Sequence, residues 1–200
     1  MSAKPYIVGI GGTTRANSSC EKALRCALVA AEGQGAETIL LGAADLDMPN
    51  FAPERDERPP NALRLIAEVR RADAIIISSP GYHGGVSGLV KNAIDYLEDL
   101  RDADPPYLDR RAVGLIVSAA GWQATATTLV ALRNVVHALR GWPTPLGVCV
   151  NTADPAFDGE GRCLSPSVQR QFDLLASQVM QFSCAFSGSH RAQAESDKSR

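Results

Sequence analysis

The feature that most constrains this chain is a set of short apolar runs that do not alternate. The plainest is Ala74 to Ile77, Ala-Ile-Ile-Ile, ending at Ser78-Ser79-Pro80-Gly81. Tyr6 to Ile10, Thr38 to Leu41, Val113 to Val117 and Leu146 to Val150 have the same character. A strand with one wet face alternates apolar and polar residues. A strand covered on both faces is apolar at successive positions. Between these runs lie stripes of helical period. Ala23, Leu24, Ala27, Leu28 and Ala31 form one, with Ser18 or Ser19 as N-cap. Leu63, Ile66 and Val69 follow Pro59-Pro60, and Leu89, Ala93, Ile94 and Leu97 follow Ser87-Gly88. Leu129, Leu132, Val136 and Leu139 are closed by Gly141 and Pro143, while Val168, Phe172, Leu175, Val179 and Phe182 follow Ser165-Pro166. Strands alternating with helices in this way predict an α/β fold, a parallel sheet with helices on both faces. A single domain over 1–186 is expected, with a polar, aperiodic and disordered tail over 187–200.

Composition narrows the partners. The formal net charge is −2 and the pI about 5.9, without blocks of like charge. That leaves no electrostatic footprint for nucleic acid. The five cysteines are odd in number and show no C-x-x-C spacing. They argue against a disulfide framework, a zinc site or a thioredoxin-type pair, and read as thiols in a reducing cytosol. The three histidines are scattered, so no metal site is expected. No apolar run reaches the length of a membrane span, and the N-terminus lacks the order of a signal peptide. The expectation is a cytoplasmic protein without membrane contact that acts on a small molecule.

In a doubly wound sheet, ligands bind beyond the carboxyl ends of the strands. Three loops are placed there. The first is Gly11-Gly12-Thr13-Thr14-Arg15-Ala16-Asn17-Ser18-Ser19. It offers hydroxyls, backbone N–H groups, a guanidinium and the positive end of a helix, the parts of a monophosphate site. G-x-G-x-x-G and the Walker A pattern are both missing. The competing reading is an ordinary turn with a serine cap. The second loop, Ser79 to Gly88, carries glycine at 81, 84, 85 and 88 beside Tyr82 and His83. Glycine lets backbone approach a ligand closely, and the two rings suit a flat fused heterocycle. The third, Ser118 to Thr125, sets Trp122 and Gln123 where a helix begins, able to wall a planar ligand and read its polar edge. The alternative for Trp122 is surface packing at a helix cap.

These loops resemble those of the NAD(P)H-dependent FMN reductases, a flavodoxin-like family. Gly12-Thr13-Thr14-Arg15-Ala16-Asn17-Ser18 is similar to the family's Gly-Ser-x-Arg-x-x-Ser phosphate loop. Ser79-Pro80-Gly81-Tyr82-His83-Gly84-Gly85-Val86-Ser87-Gly88, with Lys91-Asn92-Ala93 and Asp95, is similar to its Pro-Glu-Tyr-Asn-x-x-x-x-Gly-x-x-Lys-Asn-x-x-Asp signature. The resemblance implies a flavodoxin-like three-layer sandwich whose five-stranded parallel sheet has the order 2-1-3-4-5. It implies FMN as cofactor, with NADPH or NADH as co-substrate. The cofactor-binding set it implies is Gly12, Thr13, Thr14, Arg15, Asn17, Ser18 and Ser19 for the phosphate. Pro80, Gly81, Tyr82, His83 and Gly84 would line the ribityl chain and ring, with Ser118, Ala119, Gly121 and Trp122 toward the pyrimidine side. It further implies a homodimer or homotetramer with the third helix at the interface, and for some members a flavin-dependent monooxygenase partner. Gly81 replaces the family's common Glu and His83 its common Asn, and the third loop lacks the usual Gly-Gly. Gly121 to Thr125 and Leu139 to Gly147 are similar to an actinobacterial branch that includes FMN-dependent dehydrogenases of secondary metabolism, one acting on 2-amino-4-deoxychorismate in enediyne antibiotic biosynthesis.

The expected function is therefore an FMN-dependent oxidoreductase that passes hydride through flavin N5, as an NAD(P)H-dependent FMN or quinone-type reductase. The alternative is the dehydrogenase of a biosynthetic intermediate. In that case His83 would act as the base that takes one proton, and Arg133 and Arg140 could meet a dicarboxylate. A non-catalytic electron carrier is a third reading, against which the weak net charge counts. A flavin-free module that kept only the fold is a fourth.

Overall fold

The computed structural model describes residues 4–198, with side chains described to residue 186. In chain order the elements are β1 (Tyr6–Gly11), α1 (Ser19–Glu32), β2 (Glu37–Leu41), α2 (Ala43–Leu46), α3 (Pro60–Arg71) and β3 (Ala74–Tyr82). They continue with β4 (Gly85–Val86), α4 (Gly88–Asp95), a 3₁₀ turn (Tyr96–Leu100), β5 (Ala112–Ala119), α5 (Trp122–Ala138), β6 (Trp142–Asn151) and α6 (Pro166–Lys198). The expected tail over 187–200 lies outside the residues whose side chains are described.

The long strands pair in parallel in the order β2-β1-β3-β5-β6, the predicted winding. The sheet differs from the expected five strands by one short addition: β4 pairs antiparallel with the end of β3, Gly81 opposite Val86 and Tyr82 opposite Gly85. The apolar run predicts a third strand that ends at Ile77. The chain instead stays extended through Ser78-Ser79-Pro80 and turns back as a hairpin. Pairing with β5 runs up to Pro80 opposite Ser118, so tertiary ladder bonds override the weak strand preference of Ser, Pro and Gly.

Side-chain alternation sorts the core into two layers. Ile75 and Ile77 of β3 face one layer with Leu65, Val69, Leu97 and Leu132, contributed by α3, the 3₁₀ turn and α5. Ile76 faces the other with Leu24, Ala27, Phe172, Leu175 and Val179, from α1 and α6. Phe172 is fully buried, and its burial contributes about 1.5–3 kcal/mol.

Helix starts follow local chemistry. Ser18 caps α1, its Oγ accepting from the Glu21 N–H at 3.3 Å. Ser87 does the same for α4 through the Val90 N–H. The four-residue α2 has no sequence signal, and the stripe that ends at Leu97 tightens into the 3₁₀ turn in place of continuing as α-helix. β6 bulges against β5, where Val113 pairs with Pro143 and Leu115 with Gly147. Pro143 and Pro145 have no N–H to donate, so this strand sits at the sheet edge. Arg133 takes up the bulge, donating to the carbonyls of Thr144 at 3.0 Å and Pro145 at 2.9 Å.

The signature residue Asn92 also has a structural task. Its Oδ1 accepts from the Phe51 N–H at 2.8 Å, and its Nδ2 donates to the carbonyls of Met48 and Pro49. Tyr96 adds a hydroxyl donated to Pro49 at 2.9 Å. Together they tie the 47–51 segment to α4.

Candidate functional site

The carboxyl ends of β1, β3, β5 and β6 open into one cleft of about 400 Å³. It is built from four chain segments. Thr13, Arg15, Ser18 and Ser19 come from the first loop, and Pro80, Gly81, Tyr82 and His83 from the end of β3. Ser118, Ala119, Ala120 and Ala124 come from the β5–α5 junction, and Thr152 from the segment after β6.

The first loop is organised by its own hydroxyl. Thr13 Oγ1 accepts from the Arg15 N–H and donates to the Arg15 carbonyl, both at 3.1 Å. Arg15 is thereby held at the mouth with an exposed guanidinium that makes no ion pair or hydrogen bond. Arg15 is the one Arg, Lys, Asp or Glu on the cleft wall. The acidic residue nearest the helix start, Glu21, is turned to Arg25 at 3.1 Å and to the Asn17 N–H at 3.2 Å. The N-terminus of α1 thus faces the cleft with a free cation beside it, the combination of groups that favours an anion.

Gly11 fixes how the loop leaves the sheet. A Cβ there would lie 2.1 Å from the carbonyl oxygen of Ser78, so the crossing admits no side chain. Below the loop, Cys20 is buried with its thiol 3.0 Å from Ser78 Oγ. Burial pushes this thiol up to about 12, so it stays protonated and is no nucleophile.

The hairpin forms the second wall. Ser79 Oγ donates to the Pro80 carbonyl at 2.9 Å and accepts from the Ser87 N–H at 3.1 Å. Gly81 packs directly on the first turns of α5. A Cβ at 81 would sit 3.0 Å from Thr128 Oγ1 and 3.1 Å from the Ala124 carbonyl. This accounts for the departure from the family's Glu: α5 lies where that side chain would begin. Tyr82 and His83 are exposed at the rim, and His83 adopts φ +53° with an imidazole that makes no hydrogen bond. No third group orients it as a base.

The third wall carries one unexplained polar atom. Ser118 is 5% exposed, and its Oγ is the single buried side-chain polar atom without a hydrogen-bond partner among the described residues. Buried hydroxyls are nearly always paired. An orphan on the cleft wall fits a ligand that brings polar edges.

The sequence-predicted residues separate cleanly. Thr13, Arg15, Ser18, Ser19, Pro80, Gly81, Tyr82, His83, Ser118 and Ala119 converge on the cleft. Gly12, Thr14 and Asn17 do not line it; Gly12 and Asn17 shape the loop from behind, through the Ser78 carbonyl and Glu21. Gly84 and Gly121 border an adjoining chamber, and Trp122 stands outside both at 62% exposure. Arg133 and Arg140 are not near the cleft. Arg133 is spent on the β6 bulge, and Arg140 lies 5.8 Å from the Tyr107 ring at the far end of α5, so neither can meet a dicarboxylate there. Cys20, Thr152, Ala120 and Ala124 are additions. Thr152 is spliced in by its N–H, donated to the Ala119 carbonyl at 2.9 Å. Its signal was available: the strand adjoining β5 must end on the same rim. Among the described residues, no cluster of His, Cys, Asp or Glu could hold a metal ion.

A doubly wound sheet with an unpaired Arg at a capped helix start, two rings at the rim and small residues along the β5 wall of the cleft, has the features of the flavodoxin class of mononucleotide-binding proteins. The chain belongs to the NADPH-dependent FMN reductase family, whose model matches residues 5–154. An FMN-dependent NADPH-azoreductase of Staphylococcus aureus is 32% identical over 116 residues, a match covering 58% of this chain and 58% of that relative. The fold is shared with the flavoenzyme NAD(P)H:(acceptor) oxidoreductase FerB of Paracoccus denitrificans. That likeness has a TM-score of 0.73 at 20% identity, covering 89% of this chain and 98% of the other. An NADH:FMN oxidoreductase, EmoB, in its apo form aligns with a TM-score of 0.65 at 17% identity, covering 88% of this chain and 90% of that one.

Proposed function

We propose that the protein is an FMN-dependent oxidoreductase that takes electrons from NADPH or NADH and delivers them to a small organic acceptor. The observation that carries this reading is the paired character of the cleft, cationic at the α1 end and lined by small, uncharged residues at the other. When bound, FMN supplies a ring that accepts and returns hydride; the protein binds and orients it. Thr13, Arg15, Ser18, Ser19 and the first N–H groups of α1 hold the phosphate. Pro80, Gly81, Tyr82 and His83 flank the chain and ring, while Ser118, Ala119, Ala120 and Thr152 meet the opposite edge, where the Ser118 hydroxyl gains the partner it lacks.

Membership in the NADPH-dependent FMN reductase family and the azoreductase relative support a reductase over a biosynthetic dehydrogenase. The aminodeoxychorismate dehydrogenase reading loses its arginine contacts, since Arg133 and Arg140 are committed elsewhere. A cytoplasmic setting is part of the proposal. All five cysteines are free thiols, and no helix among the described residues is long and apolar enough to cross a membrane. A homodimer or homotetramer with the third helical stripe, α4, at the interface is also proposed, on the strength of the resemblance. A monooxygenase partner that draws on the reduced flavin is a further expectation of the resemblance.

Anaerobic bleaching of the flavin's visible band tests the reading. FMN-loaded protein is mixed separately with NADPH, NADH and 2-amino-4-deoxychorismate. Rapid bleaching by a pyridine nucleotide is expected. Bleaching by the organic acid alone would replace the reductase with the dehydrogenase.

A further inference from the structure

Beside the cofactor cleft lies a second chamber of about 570 Å³, formed by the hairpin tip His83-Gly84 and the start of α5. His83, Ala120 and Ala124 line both spaces, so the two adjoin across these residues. Two properties of the chamber stand out. No Arg, Lys, Asp or Glu lines it. Its polar side chains are His83, Gln123 and Thr127. The His83 imidazole makes no hydrogen bond and stands at the shared rim, while Thr127 has already spent its proton on the helix, donating to the Gln123 carbonyl at 3.0 Å and the Ala124 carbonyl at 3.3 Å. Gln123 is exposed, and its side-chain amide makes no hydrogen bond.

We infer that this chamber seats the electron acceptor and that Gln123 determines its class. The acceptor is uncharged and presents a carbonyl-type oxygen or an equivalent nitrogen to the Gln123 amide. An anionic acceptor entering here would shed water and find no Arg or Lys to pair with, a loss that a neutral carbonyl avoids, and an ordinary imidazole is neutral at pH 8. Such a carbonyl also gains a donor that no backbone group claims. Arg15 does not alter this balance, because it lines the cleft and not the chamber, and the FMN phosphate answers its charge. The inference rests on the reductase reading above.

The test uses FMN-loaded full-length protein, NADPH, and two matched acceptors: a naphthoquinone and its sulfonated form, at pH 8 and fixed ionic strength. The quantity read is the ratio of kcat/KM for the sulfonated over the unsulfonated quinone. Taking this ratio between variants cancels the quinones' different potentials. Gln123→Lys is expected to raise the ratio about tenfold, and Gln123→Glu to lower it by about the same factor, since a single charge at close range in a half-wet site acts at this scale. Opposite shifts from two exposed substitutions cannot come from misfolding. A ratio that moves less than about twofold in both variants overturns the inference while leaving the reductase intact. Failure of NADPH and NADH to bleach the wild-type flavin overturns both.

Discussion

At the amino ends of the strands, the Arg111 guanidinium donates to the carbonyls of Ala72 at 2.8 Å, Arg70 at 2.9 Å, Tyr107 at 3.0 Å and Asp109 at 3.5 Å. At the carboxyl ends, the Arg15 guanidinium meets nothing. The same side chain serves two purposes. Arg111 is buried, and burial pulls its pKa below the usual guanidinium range. It is tolerated because carbonyls answer its donors, closing the bottom of the sheet where β3 and β5 begin. Nearby, Tyr6 donates to Glu68 at 2.6 Å while Arg71 covers its ring at 4.1 Å. The opposite end leaves a cation and a buried hydroxyl unanswered, beside the start of a helix. One end of the sheet is finished by the chain itself; the other is finished by what binds there.

The sharpest break in this comparison comes from the backbone. Gly11→Ala places a methyl 2.1 Å from the Ser78 carbonyl, against atoms that cannot yield. It is expected to cost about 3 kcal/mol or more in urea unfolding, and to abolish FMN binding with it. Arg111→Met comes next. It strands carbonyls at the closed end and should cost about 2–3 kcal/mol, with FMN affinity by fluorescence titration within about twofold of wild type. A large affinity loss there would mean that the two ends are coupled.

Arg15→Ala should do the reverse. FMN affinity falls about 10- to 100-fold, the worth of a charge-assisted contact, and stability stays within about 0.5 kcal/mol. Ser118→Ala is smaller again. FMN affinity drops about fivefold while stability is unchanged or slightly raised, because the hydroxyl has no partner to lose. A destabilised Ser118→Ala protein would show that the hydroxyl is paired within the chain.

The smallest change with pH near neutrality belongs to Tyr6, whose effect is read only in alkali. Burial, then the hydrogen bond to Glu68, raises its phenol to about 12. A folded-state pKa above the unfolded value near 10 contributes stability below that value, and the contribution is lost as pH rises from about 10 toward 12. Tyr6→Phe should flatten the fall in unfolding midpoint across that window.

The predicted site was legible where the chain speaks locally. Thr13, Arg15 and Ser18 could be placed because a hydroxyl-rich turn before a capped helix is a local pattern. So could Pro80 to His83, once Ala74–Ile77 was read as a buried strand. Trp122 was misplaced toward the ring because sequence gives a position at a helix start, not the direction of its side chain. Thr152 was missed because its place depends on β6 lying beside β5, a neighbour relation across many residues. Arg133 and Arg140 were assigned to a ligand because an arginine's charge is visible in sequence and its carbonyl partners are not.

By itself the sequence determined the layer order and winding. Continuous apolar runs force burial on both faces, helical stripes supply the covers, and short connections leave few topologies. It also placed Thr13, Arg15 and Ser18 on the loop that lines the cleft, for the same local reason. Only the tertiary structure decided which polar groups were left over. Whether an arginine is spent on four carbonyls, like Arg111, or held open to a cleft, like Arg15, depends on partners brought in from other strands. Free hydrogen-bonding capacity is what remains after every other pairing has been made, so it appears only once the chain has folded.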